Sequence, residues 1–210
     1  VLHEPSPERL GMTAAEIAAF NRGIHARGLT EDLASLPPVL PGADVRAGIE
    51  GLSLLVDGRE LFRDNGLALD ASLREAWAGR MALERLDEPV RVRYGFTVVF
   101  TDERILPTDE PLYESPGDIN FDQLQNSGLD PGTPVAVLHE SSDGKWLFIR
   151  DGIASGWVKR GNIAFAGRWT WLRHLRAGDS GVVVSARAPL YLDRGMGKPA
   201  VTFRARGGSH

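Results

Sequence analysis

The feature that most constrains this chain is a change of hydrophobic period at Pro89. After it, Val90-Arg91-Val92-Arg93-Tyr94 alternates with period two, and Phe96 to Phe100 continues in extended form. Thr133–His139, Trp146–Arg150 and Gly156–Lys159 also have strand character. Pro131-Gly132 and Asp143-Gly144 divide them, and such dipeptides favour tight turns. Several short strands separated by turn residues predict a small barrel. The stretch 101–132 fits less well. It is polar, contains Pro107, Pro111 and Pro116, and is expected to be one long loop with a turn of helix near Phe121–Leu124. Long loops in compact domains are commonly functional.

Before Pro89 the period is helical. Thr13 followed by Glu16 forms a capping box, S/T-x-x-E, ahead of Ile17, Phe20 and Ile24, and Gly28 stands where a C-cap belongs. The spacing predicts a helix over 14–27. A shorter helix over 43–52 places Val45, Ile49 and Leu52 on one face. Leu54-Leu55-Val56, Asp57-Gly58 and Glu60-Leu61-Phe62 read as a small hairpin, because Asp-Gly supplies the positive φ of a tight turn. Leu69, Leu73, Trp77 and Met81 recur at i+4 and predict a second long helix over 70–85. Residues 166–178, with Trp169 and Trp171, read as a linker. Val182–Val184 and Pro189–Leu192 then begin a new β pattern with too few strands to close a barrel alone. The expected class is α+β.

Composition removes several functions. A net charge of -4 offers no electrostatic footprint for duplex nucleic acid. No cysteine is present, so thiolate metal sites and cysteine catalysis within this chain are excluded. No apolar run approaches the roughly 18 residues that span a bilayer. The histidines at 3, 25, 139, 174 and 210 form no ligand pair of recognised spacing, and neither a metal nor a cofactor is expected. Gly178-Asp179-Ser180-Gly181 has the form of a serine nucleophile region, but only about thirty residues follow it and no second barrel precedes it, so a turn is the expected role. Val1 is not an initiator methionine, which suggests a processing boundary.

Two blocks carry a family resemblance. The first is Arg91-Val92-Arg93-Tyr94-Gly95 leading to Thr101-Asp102-Glu103-Arg104-Ile105-Leu106-Pro107-Thr108. The second is Gly132–His139, then Asp143-Gly144-Lys145-Trp146, then Gly156-Trp157-Val158. Together they resemble the bacterial SH3-like domain of multi-domain NlpC-type cell-wall peptidases. The resemblance implies three parts: a helical N-terminal stabilising segment (1–88), an SH3-like β-barrel (89–166), and a linker with the beginning of a second SH3-like unit (167–210). Such proteins end in a papain-like domain that cleaves peptidoglycan stem peptides at the D-γ-glutamyl–diamino acid bond. That domain is absent from these 210 residues, so no catalytic role transfers to any residue here. The implied partners are the stem peptide and that C-terminal domain, and the implied location is the periplasm or cell envelope. A stand-alone wall-binding module without enzymatic activity is the competing reading.

A stem peptide is small, polar and charged, with a free amine at one end and carboxylates along it. Its recognition calls for aromatic walls and a few opposite charges. Asp109 and Glu110 offer acceptors for an amine, Arg104 a carboxylate partner, Tyr113 a wall, and Trp146 and Trp157 a floor. Each has a structural alternative. Trp157, and Tyr94 with it, fits core packing; Trp146 fits either role. Arg104 could bond loop carbonyls, and Asp109 and Glu110 could be solvated loop charges.

Overall fold

A computed structural model describes residues 12–177, 187–191, 193 and 195–204. The opening segment before Met12, the turn at Ser180 and the run Val182–Val184 lie outside these residues. The chain divides into two compact units, Val1–Arg176 and Ala177–His210.

In the first unit, α1 (Ala14–Ala26) begins with the expected capping box. Glu16 donates its backbone N–H to Thr13 Oγ1, and its carboxylate accepts the Thr13 N–H at 2.7 Å. The Thr13 N–H, and with it the Thr13 hydroxyl that also donates to this carboxylate, hold the Glu16 carboxyl below its ordinary range. Gly28 ends the helix at φ +68°, and the Gly28 and Leu29 N–H groups close onto His25 O and Ile24 O as in a Schellman motif. The face predicted to be apolar stays open: Ile17 and Phe20 are exposed.

Helix α2 (Gly42–Ser53) buries Val45 and Ile49. Its first residue must be glycine, because a Cβ there would lie 2.1 Å from the carbonyl oxygen of Leu86. Helix α3 (Ala71–Arg80) is N-capped by Asp70, whose side chain accepts the Leu73 N–H at 2.8 Å. It stops earlier than the periodicity predicts. Ala82 turns left-handed at φ 53°, and a 3-10 turn follows at Leu83–Leu86. The Met81 carbonyl, which a continuing helix would offer to Arg85, instead accepts the His139 Nε2 proton at 2.9 Å. The hairpin expected over 54–62 does not form. Leu54 to Val56 extend the end of α2 through turns, and Phe62 exchanges both backbone hydrogen bonds with Tyr113, each 2.8 Å.

Two short strands, β1 (Val39–Leu40) and β2 (Val90–Arg91), pair with each other. The main sheet contains β3 (Arg93–Thr97), β4 (Thr101–Arg104), β5 (Gln125–Leu129), β6 (Pro134–Glu140), β7 (Trp146–Arg150), β8 (Ser155–Lys159) and β9 (Ile163–Ala166). Its antiparallel order is β5-β4-β8-β7-β6-β3-β9. The ladder leaves β5 and β9 as edges, so the expected barrel is not closed by hydrogen bonds. The stretch 101–132 is not one loop, because β4 and β5 pair across it with Thr101 opposite Leu129 and a register shift between Glu103 and Arg104. The helical turn expected near Phe121–Leu124 is replaced by a simple turn at residues 123–124, just before β5.

The sheet is buried on both faces. Leu138, Trp146, Phe148 and Trp157 join Val45, Ile49, Met81 and Leu86 in one cluster. Val135, Val137, Leu147, Ile149 and Val158 form another with Leu129 and Ile163. This explains the near-continuous apolar runs of β6 and β7, since a strand covered on both sides needs no polar alternation. The residues expected to be a linker form α4 (Arg168–Leu175). Its Trp171 is buried against the Tyr94 ring at 4.7 Å between centroids, whereas Trp169 is exposed.

In the second unit, β10 (Arg187–Tyr191) pairs antiparallel with β11 (Pro199–Arg204). Asp193 shapes the connection by accepting the Lys198 and Gly197 N–H groups.

Candidate functional site

The chain between β4 and β5 is held by four arginines from other parts of the first unit or from β4 itself. Arg80 donates to Pro107 O at 2.9 Å. Arg63 contacts the Glu110 carboxylate through Nε and Nη2. Arg59 reaches Glu114 and the Gln123 side chain. Arg104, only 7% exposed, donates to Asp122 at 2.8 Å and to Glu110 O at 3.0 Å. Asp122 in turn accepts the N–H groups of Leu112 and Leu124 with its other oxygen. One ion pair, buried on the Arg104 side and half-buried on the Asp122 side, therefore ties β4 to the far end of this segment, and such a pair is costly to break from one side.

Arg104, Asp109 and Trp146 come together around a cavity of about 150 Å³, with Phe100, Asp102, Lys159 and Asn162. Asp109 is exposed and pairs with Lys159 at 2.7 Å. Asp102 has no ion pair among the described residues; its side chain meets Gln125 Nε2 at 3.4 Å. Trp146 is 4% exposed and packs chiefly in the core, so it contributes an edge of the cavity rather than a broad floor.

The other three predicted residues lie elsewhere. Glu110 is engaged by Arg63. Tyr113 is half-buried at its bridge with Phe62, and desolvation, helped by Asp122 and Asp64, pushes its phenol up. Trp157 is fully buried between Phe148 and His139, with ring centroids 5.5 and 6.2 Å away. It cannot floor a groove, because no part of its ring reaches solvent. Arg104 bonds a loop carbonyl as its structural alternative foresaw, and its buried Nε has no partner.

Asp122, Lys159 and Glu103 were not singled out from the sequence. Glu103 is fully buried beside Gly156, where a Cβ would come within 2.5 Å of the Glu103 Cγ. Burial, with the charge of Asp151 second, pushes its carboxyl up to about 8, against the opposing hydrogen bond from Asn126. Among the described residues, no group of three or more histidines and carboxylates is arranged to hold a metal ion, and no helix is long and apolar enough to cross a membrane.

The helices and the seven-stranded antiparallel sheet fit an α+β chain with an SH3-like domain. Residues 111–159 match the family described as SH3 domain, SH3b1 type. A solved structure described as a novel NlpC/P60 endopeptidase from Photobacterium damselae subsp. piscicida shares the fold, with a TM-score of 0.50 and 24% sequence identity. The similarity covers 58% of this chain and 28% of that one. A comparison with curated proteins finds no match.

Proposed function

We propose that this chain is the non-catalytic, wall-associated region of a peptidoglycan stem-peptide hydrolase of the D-γ-glutamyl–diamino acid endopeptidase type. It positions the peptide and docks on a cysteine-peptidase domain of NlpC type outside the cytoplasm, in the cell envelope. The observation that carries this reading is the cavity joining Arg104, Asp109 and Trp146.

Magnitudes separate the roles of its charges. The exposed Asp109–Lys159 pair contributes at most about 1 kcal/mol, so a ligand amine can replace the lysine at little cost. Asp102, free of an ion pair, adds to the attraction for that amine. Arg104 is buried, its partner Asp122 is half-buried and multiply bonded, and so Arg104 acts as a positioning residue that holds the segment carrying Asp109.

The test is calorimetric titration of the chain with a synthetic stem peptide bearing a free N-terminal amine, alongside its N-acetylated form. The free amine form is expected to bind, with acetylation or Asp109→Asn weakening it about tenfold, equal to 1.4 kcal/mol. Equal affinity for both forms, or binding to intact sacculi without any binding of free peptide, sinks this reading. The second result points instead to a stand-alone wall-binding module.

A further inference from the structure

A second concavity of the first unit is mostly apolar and lies beside the start of the β4–β5 segment, at Leu106. It is a groove of about 540 Å³ between the C-terminal half of α2 and the face of α3. Val56, Leu69, Trp77 and Met81 line it as buried residues, with half-buried Leu106. Leu54 stands on its lip, 69% exposed, and the adjacent Leu55 is exposed too. Paired leucines held in water beside an open apolar groove form a contiguous patch of the kind that marks an interaction surface.

The charges around the groove state what would fill it. Glu50 on α2 and Glu75 on α3 are exposed, and neither carries an ion pair or a side-chain hydrogen bond among the described residues. Asp57 accepts only the N–H of its own turn neighbour Gly58. Arg74, the basic residue of the lining, donates to the carbonyl of Arg59 at 2.6 Å and, among the described residues, forms no ion pair with the groove's carboxylates. The lining thus presents apolar surface with three carboxylates, Glu50, Asp57 and Glu75, against one guanidinium. An apolar occupant alone would leave those carboxylates unmatched, and an acidic one would be repelled. Alpha3, with ten residues, runs about 15 Å at 1.5 Å per residue, which matches two to three turns of a helix laid in the groove.

We infer that this groove binds a basic amphipathic segment of a partner polypeptide, with its apolar side chains on Trp77 and Met81 and its lysine or arginine residues against Glu50 and Glu75. The site is separate from the cavity at Asp109 and does not depend on the stem-peptide reading.

The test uses fluorescence anisotropy with the full chain and two short labelled helical peptides. Both carry leucine at i, i+3, i+4 and i+7; one has lysine at the flanking positions and the other glutamate. The lysine peptide is expected to bind at a Kd on the order of 50 μM. Glu50→Gln/Glu75→Gln is expected to weaken it about fivefold and flatten its salt dependence. Leu54→Asp should weaken it similarly without moving the melting temperature, since Leu54 is exposed. A charge-matched pair outside the groove, Glu84→Gln/Glu88→Gln, should leave affinity unchanged. The inference is overturned if the two peptides bind equally, or if both double variants weaken binding alike, which would indicate general attraction to an acidic chain. Failure to bind at millimolar peptide overturns it as well. So does Leu54-dependent self-association in light scattering, which would make a second copy the occupant.

Discussion

Glu103 and Arg104 are neighbours on β4, both buried, and the protein treats the two regions they face in opposite ways. Arg104 faces the segment leading to β5, where Asp122 and the Glu110 carbonyl receive its guanidinium. Glu103 faces the seam between β4, β5 and β8, where Asn126 donates to one oxygen at 3.2 Å and the other has no partner. A buried charge with a counter-ion stays charged and becomes a rigid fastener. A buried carboxyl without one gives up its charge instead, which makes the seam sensitive to pH.

The largest expected effect tests the seam. Glu103 is raised from the ordinary carboxyl value to about 8, so the folded chain keeps a proton that the unfolded chain loses. The stability contributed by Glu103 is therefore full below about pH 4.5, declines as pH rises, and levels off above about 8. At about 1.4 kcal/mol per pKa unit, the decline amounts to a few kcal/mol. Urea denaturation at pH 5 and pH 9 measures it. Glu103→Gln should remove the slope while keeping the shape, and an unchanged slope would mean that Glu103 is ionised throughout.

The next effect tests the fastener. Arg104→Ala leaves Asp122 partly buried without its counter-ion and should cost about 3 kcal/mol in the same assay near neutral pH. The double variant Arg104→Met/Asp122→Leu should recover part of that loss, because it removes both charges. A single-variant loss below that of a surface pair would erase the distinction drawn here. The smallest effect is at the cavity mouth, where Lys159→Ala should change stability by less than about 1 kcal/mol. It should also sharpen amine binding at Asp109 by removing the competing ammonium.

The same contrast explains what the sequence made legible. Strands β6 to β8 could be read because both of their faces are apolar, and the capping box gave the start of α1. Strand β4 could not. Its inward residues include Thr101 and Glu103, both fully buried, so the period-two hydrophobic signal is missing where the strand exists. The early stop of α3 depends on His139, which lies 58 residues away and takes the Met81 carbonyl. The blocks beginning at Arg91 and Gly132 pointed to an SH3-like domain, and residue chemistry named Arg104, Asp109 and Trp146, which the fold brings around one cavity. The partners that decide each role, Asp122, Lys159 and Arg63, come from other stretches and are set by tertiary pairing. Trp157 illustrates the limit: Gly-Trp-Val fits a ligand platform and a core strand equally until its neighbours are known.

The double-sided covering of β7 bears on how small this unit can be made. The matched stretch 111–159 contains β5 to β8 but omits β4, which sits between β5 and β8, and β3, which flanks β6. A fragment trimmed to those limits would lose strand partners on either side, along with the helical residues that keep Phe148 and Trp157 dry. Sequence kinship and the autonomous folding unit therefore have different borders in this protein. The shortest piece expected to hold its shape reaches back through α2 and forward into α4.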